Sequence, residues 1–445
     1  MADSRPKSKE FKGTYGTVKV VDGKVYKTEA LYDEDGCLDL SSFCECGLAT
    51  LVNLMNCTSL PVMEDIEMMP NTVILHMPYY GRTLSAWADS TSRAEKLRVL
   101  PTMLKQLVHA CDVLLRNDIQ HTDIKPANIL ISDSDNRLVL IDFNIFSVKT
   151  IDGWVESVGT WCYVAPEILM KHAPTDTSMS WSIGIIMAEC IVGYPLGNMH
   201  KRVKDVNNKK DWQELFTKLK IGFDGLPLLP KYYSMMPNAY TDLYNMCTIW
   251  DTNKRASISR IAAYLDTTFG RPCSDAHEPS IPVPVTLRVS PFLSDSRSTY
   301  IDLIFKFCTL RPYLWNLLYR SIWLYDRFAI NDPEAIATCI SIAYTFMGYT
   351  ISNKFVRYLA KTFDLPNLTM TDIEKQMVSM CSQAKWKIYD KAADVIAIER
   401  GMTAASITQI IPIVMKARTT EYDGYEIADA VNDYRFRRVC CQPVI

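Results

Sequence analysis

His121-Thr122-Asp123-Ile124-Lys125-Pro126-Ala127-Asn128 follows an apolar run of helical period, residues 103–115, and precedes a strand-like run, residues 128–132. Fourteen residues past Asn128 stands Asp142-Phe143-Asn144, at the end of the apolar run Leu138-Val139-Leu140-Ile141. One short loop thus offers a carboxylate, a lysine and an amide, and a second carboxylate lies one β-hairpin away. Phosphoryl transfer from a magnesium nucleotide requires that set: an acidic group for the incoming hydroxyl, a cation for the migrating phosphate, and oxygen ligands for the metal.

A third block follows, Gly159-Thr160-Trp161-Cys162-Tyr163-Val164-Ala165-Pro166-Glu167. Any one block is weak, because an Asp in a loop is more often solvated or capping a turn. In order and at this spacing, the three resemble the eukaryotic protein kinase family, whose pattern is H-R-D-x-K-x-x-N, then D-F-G, then A-P-E. The matching positions are His121, Asp123, Lys125 and Asn128; Asp142 and Phe143; and Ala165, Pro166 and Glu167. The resemblance implies an α+β, bilobal kinase fold, with a small β-rich N-lobe over residues 8–80 and a helical C-lobe over residues 81–270. It also implies ATP with Mg2+ (or Mn2+) as cofactors and proteins as substrates.

At 445 residues, two or three domains are expected. A hydrophobic content of 48% and a charged content of 22% describe an ordinary globular chain. A net charge of −2 argues against a broad nucleic-acid surface. Fourteen cysteines are scattered through apolar runs, and the N-terminus has no signal-peptide pattern. They read as reduced thiols in a cytoplasmic or nuclear compartment. Cys44-Glu45-Cys46 and Cys440-Cys441 lack zinc spacing. No apolar run is long enough for a bilayer, so no membrane partner is expected.

Phe11-Lys12-Gly13-Thr14-Tyr15-Gly16-Thr17-Val18 resembles the kinase glycine-rich loop, with Phe11 in place of the first glycine. Gly13 and Gly16 would let backbone N–H groups approach phosphate, and Val18 joins them as a nucleotide-binding position. Alone, two glycines three apart are an ordinary hairpin. Val20-Val21-Asp22-Gly23-Lys24-Val25 is a strong hairpin signal, with Asp-Gly supplying positive φ. It delivers Val25-Tyr26-Lys27, similar to the V-A-I-K strand, and Lys27 is the expected phosphate-binding lysine. Its orienting carboxylate is Glu45, which opens an apolar-periodic stretch 18 residues on. The rival, Glu29, is too near Lys27 to come from a separate helix. Residues 72–77 form a strand leading into Pro78-Tyr79-Tyr80-Gly81. In the family this segment holds the adenine edge, which makes Tyr79 a nucleotide-binding position. Met77 would guard the back pocket, although a core methionine fits the same place.

The resemblance also assigns roles. Asp123 accepts or orients the acceptor hydroxyl, Lys125 neutralises the transferring phosphate, and Asn128 and Asp142 hold the metal. Thr160 bonds to Asp123 and Lys125, a Ser/Thr-branch feature. His121 is structural, and Glu167 pairs with Arg255 of Trp250-Asp251-Thr252-Asn253-Lys254-Arg255. Three positions depart from the pattern. Thr122 replaces the arginine that meets an activation-loop phosphate, in a loop only 25 residues long from Asp142 to Glu167. Asn144 replaces the glycine of D-F-G, where its tolerance of left-handed backbone would preserve the turn. Met179 stands where the family has an aspartate that braces the catalytic loop. These substitutions resemble those of kinases encoded by large DNA viruses.

Residues 271–297 read as a Pro-rich linker. Beyond them the periodicity is helical throughout, over residues 300–307, 313–328, 333–347, 353–362, 370–388 and 404–416, which predicts an all-α domain over residues 298–445. Its order of cues resembles a cyclin box. Leu317-Leu318-Tyr319-Arg320-Ser321-Ile322-Trp323-Leu324-Tyr325-Asp326-Arg327-Phe328 is similar to the cyclin helix ending in D-R-F. The bland alternative is a helical interaction or dimerisation domain. A cyclin-like domain tethered in cis would dock on the Glu45 helix and hold the Lys27–Glu45 pair closed. The reading is therefore a Ser/Thr protein kinase. The alternatives are a nucleotide-binding pseudokinase scaffold and, disfavoured by residues 159–167, a small-molecule kinase.

Overall fold

The computed structural model describes residues 8–12, 16–157, 159–171, 173–193, 205, 208–221, 223–228, 230–270, 287–291, 293–388, 391–418 and 421–440. The chain opens with strands β1 (Ser8–Lys12), β2 (Gly16–Val21) and β3 (Lys24–Ala30), then helix α1 (Leu40–Leu54), then β4 (Asp65–Met68) and β5 (Thr72–Pro78). The strands form one antiparallel sheet in the order β1-β2-β3-β5-β4. The β2–β3 turn takes positive φ at both Asp22 and Gly23, as a tight hairpin requires. Its register sets Lys27 between Val18 on one neighbour and Leu75 on the other.

Asp39 caps α1 by accepting from the backbone N–H groups of Ser41 and Ser42. Glu45 is the only charged residue in this helix, and its residues 42–49, 51 and 52 are all buried. A helix buried over so much of its surface has to be covered from more than one side. The sheet supplies one cover, and helices from the last third of the chain supply the other.

The C-lobe follows: β6 (Arg82–Thr83), α2 (Leu84–Ser90), α3 (Arg93–Arg116), β7 (Ile119–His121), β8 (Ile129–Ile131), β9 (Leu138–Leu140), β10 (Phe146–Thr150), β11 (Gly153–Trp154), α4 (Pro166–Lys171), α5 (Ser178–Val192), α6 (Lys209–Lys220), α7 (Pro230–Tyr233), α8 (Asn238–Cys247) and α9 (Ile258–Phe269). The β8–β9 hairpin separates Asn128 from Asp142. Strand β7 pairs with β10 and thereby sets His121 opposite Phe146.

Of the expected linker, residues 271–286 and 292 lie outside the described residues. The part that follows is not free chain. Val289 is buried and exchanges two backbone hydrogen bonds with Tyr422, at 2.7 and 3.0 Å. Then come α10 (Arg297–Thr309), α11 (Leu318–Phe328), α12 (Pro333–Phe346), α13 (Asn353–Phe363), α14 (Met370–Gln383), α15 (Ala393–Glu399), α16 (Ala404–Ala417) and α17 (Gly424–Cys440). Two expected helices are shorter than their periodicity implied. The segment ahead of α11 is a 3₁₀ turn, Pro312–Leu317. Helix α14 ends at Gln383 because Lys385 and Trp386 take positive φ, at 51° and 57°, which turns the chain and buries the Trp386 ring. Helices α15 and α17 were not anticipated.

The helical third packs on α1. The Phe43 ring lies 5.7 Å from Phe346 and 5.3 Å from Trp386, and Cys44 Sγ contacts Thr345 O at 3.8 Å. Gly47 permits the closest approach, since a Cβ there would come within 2.4 Å of the Phe346 ring. A second contact reaches the C-lobe. Lys391 Nζ bonds to Asp118 Oδ1 at 3.0 Å and to Arg116 O at 3.3 Å, just ahead of β7. A third touches the segment after Asp142: Asn316 donates to Asp152 at 3.1 Å and Arg320 to Lys149 O at 3.4 Å.

Candidate active site

Lys27 projects from β3 toward α1. Its ammonium meets both Glu45 oxygens, at 2.9 and 2.8 Å, and Asp142 Oδ1 at 3.1 Å. It also meets Glu29 Oε1 at 2.8 Å and Asn144 Oδ1 at 2.8 Å. Burial works against the Lys27 charge, but attraction from Glu45, then Asp142 and Glu29, outweighs it and raises the pKa. Glu45 is pushed up to about 8: its burial is the largest cause, Lys27 pulls it down, and Glu29 and Asp142 add repulsion.

The loop of residues 121–128 is organised around Asp123. Its Oδ1 accepts from Thr160 N at 2.8 Å and from Thr160 Oγ1 at 2.6 Å. Its Oδ2 accepts from Asn128 Nδ2 at 3.1 Å and faces Lys125 Nζ at 2.7 Å. Lys125 in turn donates to Thr160 Oγ1 at 3.0 Å. Burial favours the neutral acid, yet the hydrogen bonds from Lys125 and Thr160 hold the Asp123 pKa below its ordinary value. Asp123 is therefore a carboxylate at neutral pH, able to accept a proton or a hydroxyl hydrogen bond.

His121 is buried, and burial lowers its pKa. Its Nε2 lies 3.0 Å from Ile141 O, while Nδ1 accepts from Asp123 N at 3.2 Å. A neutral ring protonated at Nε2 satisfies both bonds, and it ties the loop of residues 121–128 to the end of β9. The Phe143 ring packs edge-on against His121 at 5.0 Å. Met179 is buried in α5.

Gly159 brings the next segment hard against this loop, since a Cβ there would stand 2.1 Å from Thr122 O. The hydroxyls of Thr122 and Ser157 are 2.7 Å apart. Glu167 forms a two-pronged pair with Arg255, at 2.6 and 2.9 Å, and accepts from Ser178 at 2.6 Å. Although burial opposes it, the Arg255 bond and charge and the Ser178 bond depress the Glu167 pKa.

The remaining predicted positions are partly described. Gly13 lies outside the described residues. Gly16 opens β2, and Val18 faces Lys27 across it. Met77 is half-buried on β5, opposite Val25. The backbone N–H of Tyr79 is bonded to Gly23 O at 2.9 Å, so this residue could offer a ligand its carbonyl and not its donor.

One expectation is overturned. The left-handed residue of the Asp142-Phe143-Asn144 turn is Asp142, with φ of 71°, and Asn144 is not at positive φ. Asn144 instead bridges Lys27 and Glu29 through its side-chain amide. Glu29 was set aside as too near Lys27, yet it meets the same ammonium as Glu45. The alternation of a strand, which puts residues two apart on one face, was the signal that could have found it.

Asp142, beside the ammonium of Lys27, and Asn128, bonded to Asp123, offer the hard oxygen donors that suit magnesium, and the Ile141 N–H bond to Asn128 O links the two. The Asn128 amide nitrogen is committed to Asp123 through both Oδ2 and the backbone carbonyl, at 3.1 and 2.9 Å. The donor set therefore fits a magnesium nucleotide.

Residues 41–265, just over half of the chain, match the protein kinase domain, and the chain belongs to that family. The match begins at α1, downstream of Lys27. A stretch of 218 residues is 32% identical to the probable serine/threonine-protein kinase glkA of Dictyostelium discoideum, covering 45% of this chain and 44% of that protein. A stretch of 172 residues is 30% identical to the dual specificity protein kinase zak2 of the same organism, covering 37% and 23%. Human cyclin-dependent kinase 20 is 32% identical over 191 residues, covering 38% and 54%. The chain thus spans from about a quarter to about half of the length of these relatives. Among the described residues no helix is long and apolar enough to cross a membrane.

Proposed function

We propose that this chain is an ATP-dependent protein kinase that phosphorylates Ser and Thr hydroxyls of proteins. The observation that carries the reading is convergence: Lys27 lies 3.1 Å from Asp142 across 115 positions, Asn128 lies 3.1 Å from Asp123, and the bond from Ile141 N to Asn128 O at 2.9 Å joins the two pairs. Lys27, held by Glu45, would grip the nucleotide phosphates. Asn128 and Asp142 would hold the magnesium, which when bound neutralises charge on the phosphates. Asp123 would accept the hydrogen bond of the incoming hydroxyl, and Lys125, fixed by Thr160, would face the transferred group. The Tyr79 carbonyl, with Met77 behind it, would edge the adenine. Ser/Thr preference is supported by Thr160 bonded to both Asp123 and Lys125, and by the names of relatives such as glkA.

The helical region, residues 298–445, is proposed as a built-in activator. Phe346 and Trp386 flank Phe43 one turn or less from Glu45, which favours the closed Lys27–Glu45 pair. The cyclin resemblance of α11 and the name of one human relative point the same way. An assay with radiolabelled ATP and a peptide library tests the reading, with Asp123→Asn as control. Mg2+-dependent label on Ser or Thr supports it. Nucleotide binding without transfer would replace it with the scaffold reading.

A further inference from the structure

Glu29 is fully buried, where a carboxylate without partners would be costly. Its partners arrive from two directions. Lys27 stands on the same strand at 2.8 Å. Asn144 Nδ2, two residues past Asp142, approaches at 3.3 and 3.4 Å. The other end of that amide, Oδ1, accepts from Lys27 at 2.8 Å. Both ends of the Asn144 side chain are therefore in use. The backbone gives no reason for a special residue at 144, because the left-handed position of this turn is Asp142. Aspartate visits that conformation only as an occasional single residue, so the contacts on either side of it fix the turn. Ile141 N bonds to Asn128 O at 2.9 Å on one side of Asp142, and the Asn144 amide anchors the other.

We propose that Glu29 and Asn144 form a positioning pair: Asn144, fastened to Glu29 and Lys27, fixes the turn that aims Asp142 at the nucleotide's metal. The pair rests on the reading of Lys27 and Asp142 given above. It also joins β3 to the turn through Lys27, which holds Glu45 on α1 with the same ammonium.

The test compares full-length wild type with Glu29→Gln, Asn144→Gly, Asn144→Asp and the exchange Glu29→Gln/Asn144→Asp. The exchange keeps the total charge and reverses the bond, with the new amide at 29 donating to the new carboxylate at 144. Three quantities are read: amide hydrogen exchange over residues 141–146 without nucleotide, the Mg2+ concentration for half-maximal ATP binding by calorimetry, and kcat against KM. Each single change is expected to speed exchange, raise the Mg2+ requirement about tenfold and lower kcat more than KM, as loss of a supporting hydrogen bond behind a metal ligand does. The exchange variant should recover most of both losses. Losses in it that equal the sum of the Glu29→Gln and Asn144→Asp effects would overturn the pair. If Glu29→Gln yields no folded protein, Asn144→Gly alone decides, and unchanged hydrogen exchange with an unchanged Mg2+ requirement would overturn the proposal. Coupling in exchange and Mg2+ binding without any phosphate transfer would support the pair and sink only the kinase reading.

Discussion

Glu167 and Arg255 set the energetic scale for single residues in this molecule. Both are almost excluded from water and joined by two bonds. Glu167→Gln would leave a buried guanidinium without its countercharge, at a cost of about 3 kcal/mol at neutral pH. The folded pKa of Glu167 lies below its ordinary 4.5, so its stabilisation is fully present above that value and is lost as pH falls through the depressed one. The gap in melting temperature between wild type and Glu167→Gln should therefore close as pH drops below about 4.5. A gap that does not change with pH would show that the ion pair is not its source. At this scale the sequence was legible wherever a residue's type fixes its chemistry. Lys27 meets Glu45 and Asp142, Asp123 meets Asn128 and Thr160, and Glu167 meets Arg255, contacts that follow from the family resemblance carried by the motifs. Asn144 was not legible in this way, because its replacement of a glycine read as a backbone matter when its side chain carries the contacts.

Helix α1 shows what spacing alone conceals. Its apolar period was visible, but ten of its fifteen residues are buried, more than the single face the period named. The second cover is α12 together with Trp386, and that contact is distant in sequence. Phe346→Ala should cost about 3 kcal/mol through the cavity it leaves against Phe43 and Gly47, read as a lower melting temperature. If docking holds Glu45 in place, the same change should also lower kcat. A reduced melting temperature with unchanged kcat would confine α12 to a structural role. The β2–β3 hairpin was legible because Asp-Gly has one good use. The end of α14 was not, because its periodicity continues past the two left-handed residues that stop the chain.

Across the whole molecule, the helical third grips the kinase at α1, ahead of β7 and beside the segment after Asp142. The grip ahead of β7 is a buried pair, Lys391 with Asp118. Burial pushes the Asp118 pKa up to about 6, with Lys391 pulling it down, Glu399 adding repulsion and Arg320 attraction. A charged Asp118 is thus penalised as pH rises through 6, and Lys391 limits the penalty. Lys391→Met should accordingly be destabilising at pH 8 and much less so at pH 5, measured by denaturant unfolding. A penalty equal at both would contradict the pair. The pair could not be read from the sequence, since its partners lie 273 positions apart. The central measurement is transfer of labelled γ-phosphate from Mg·ATP to a peptide library by the full chain and by Lys27→Ala, Asp123→Asn, Asn128→Ala and Asp142→Ala. The expected result is label on Ser or Thr, reduced about a hundredfold or more in each variant. Transfer by the variants at the wild-type rate would contradict a single site built from these four residues.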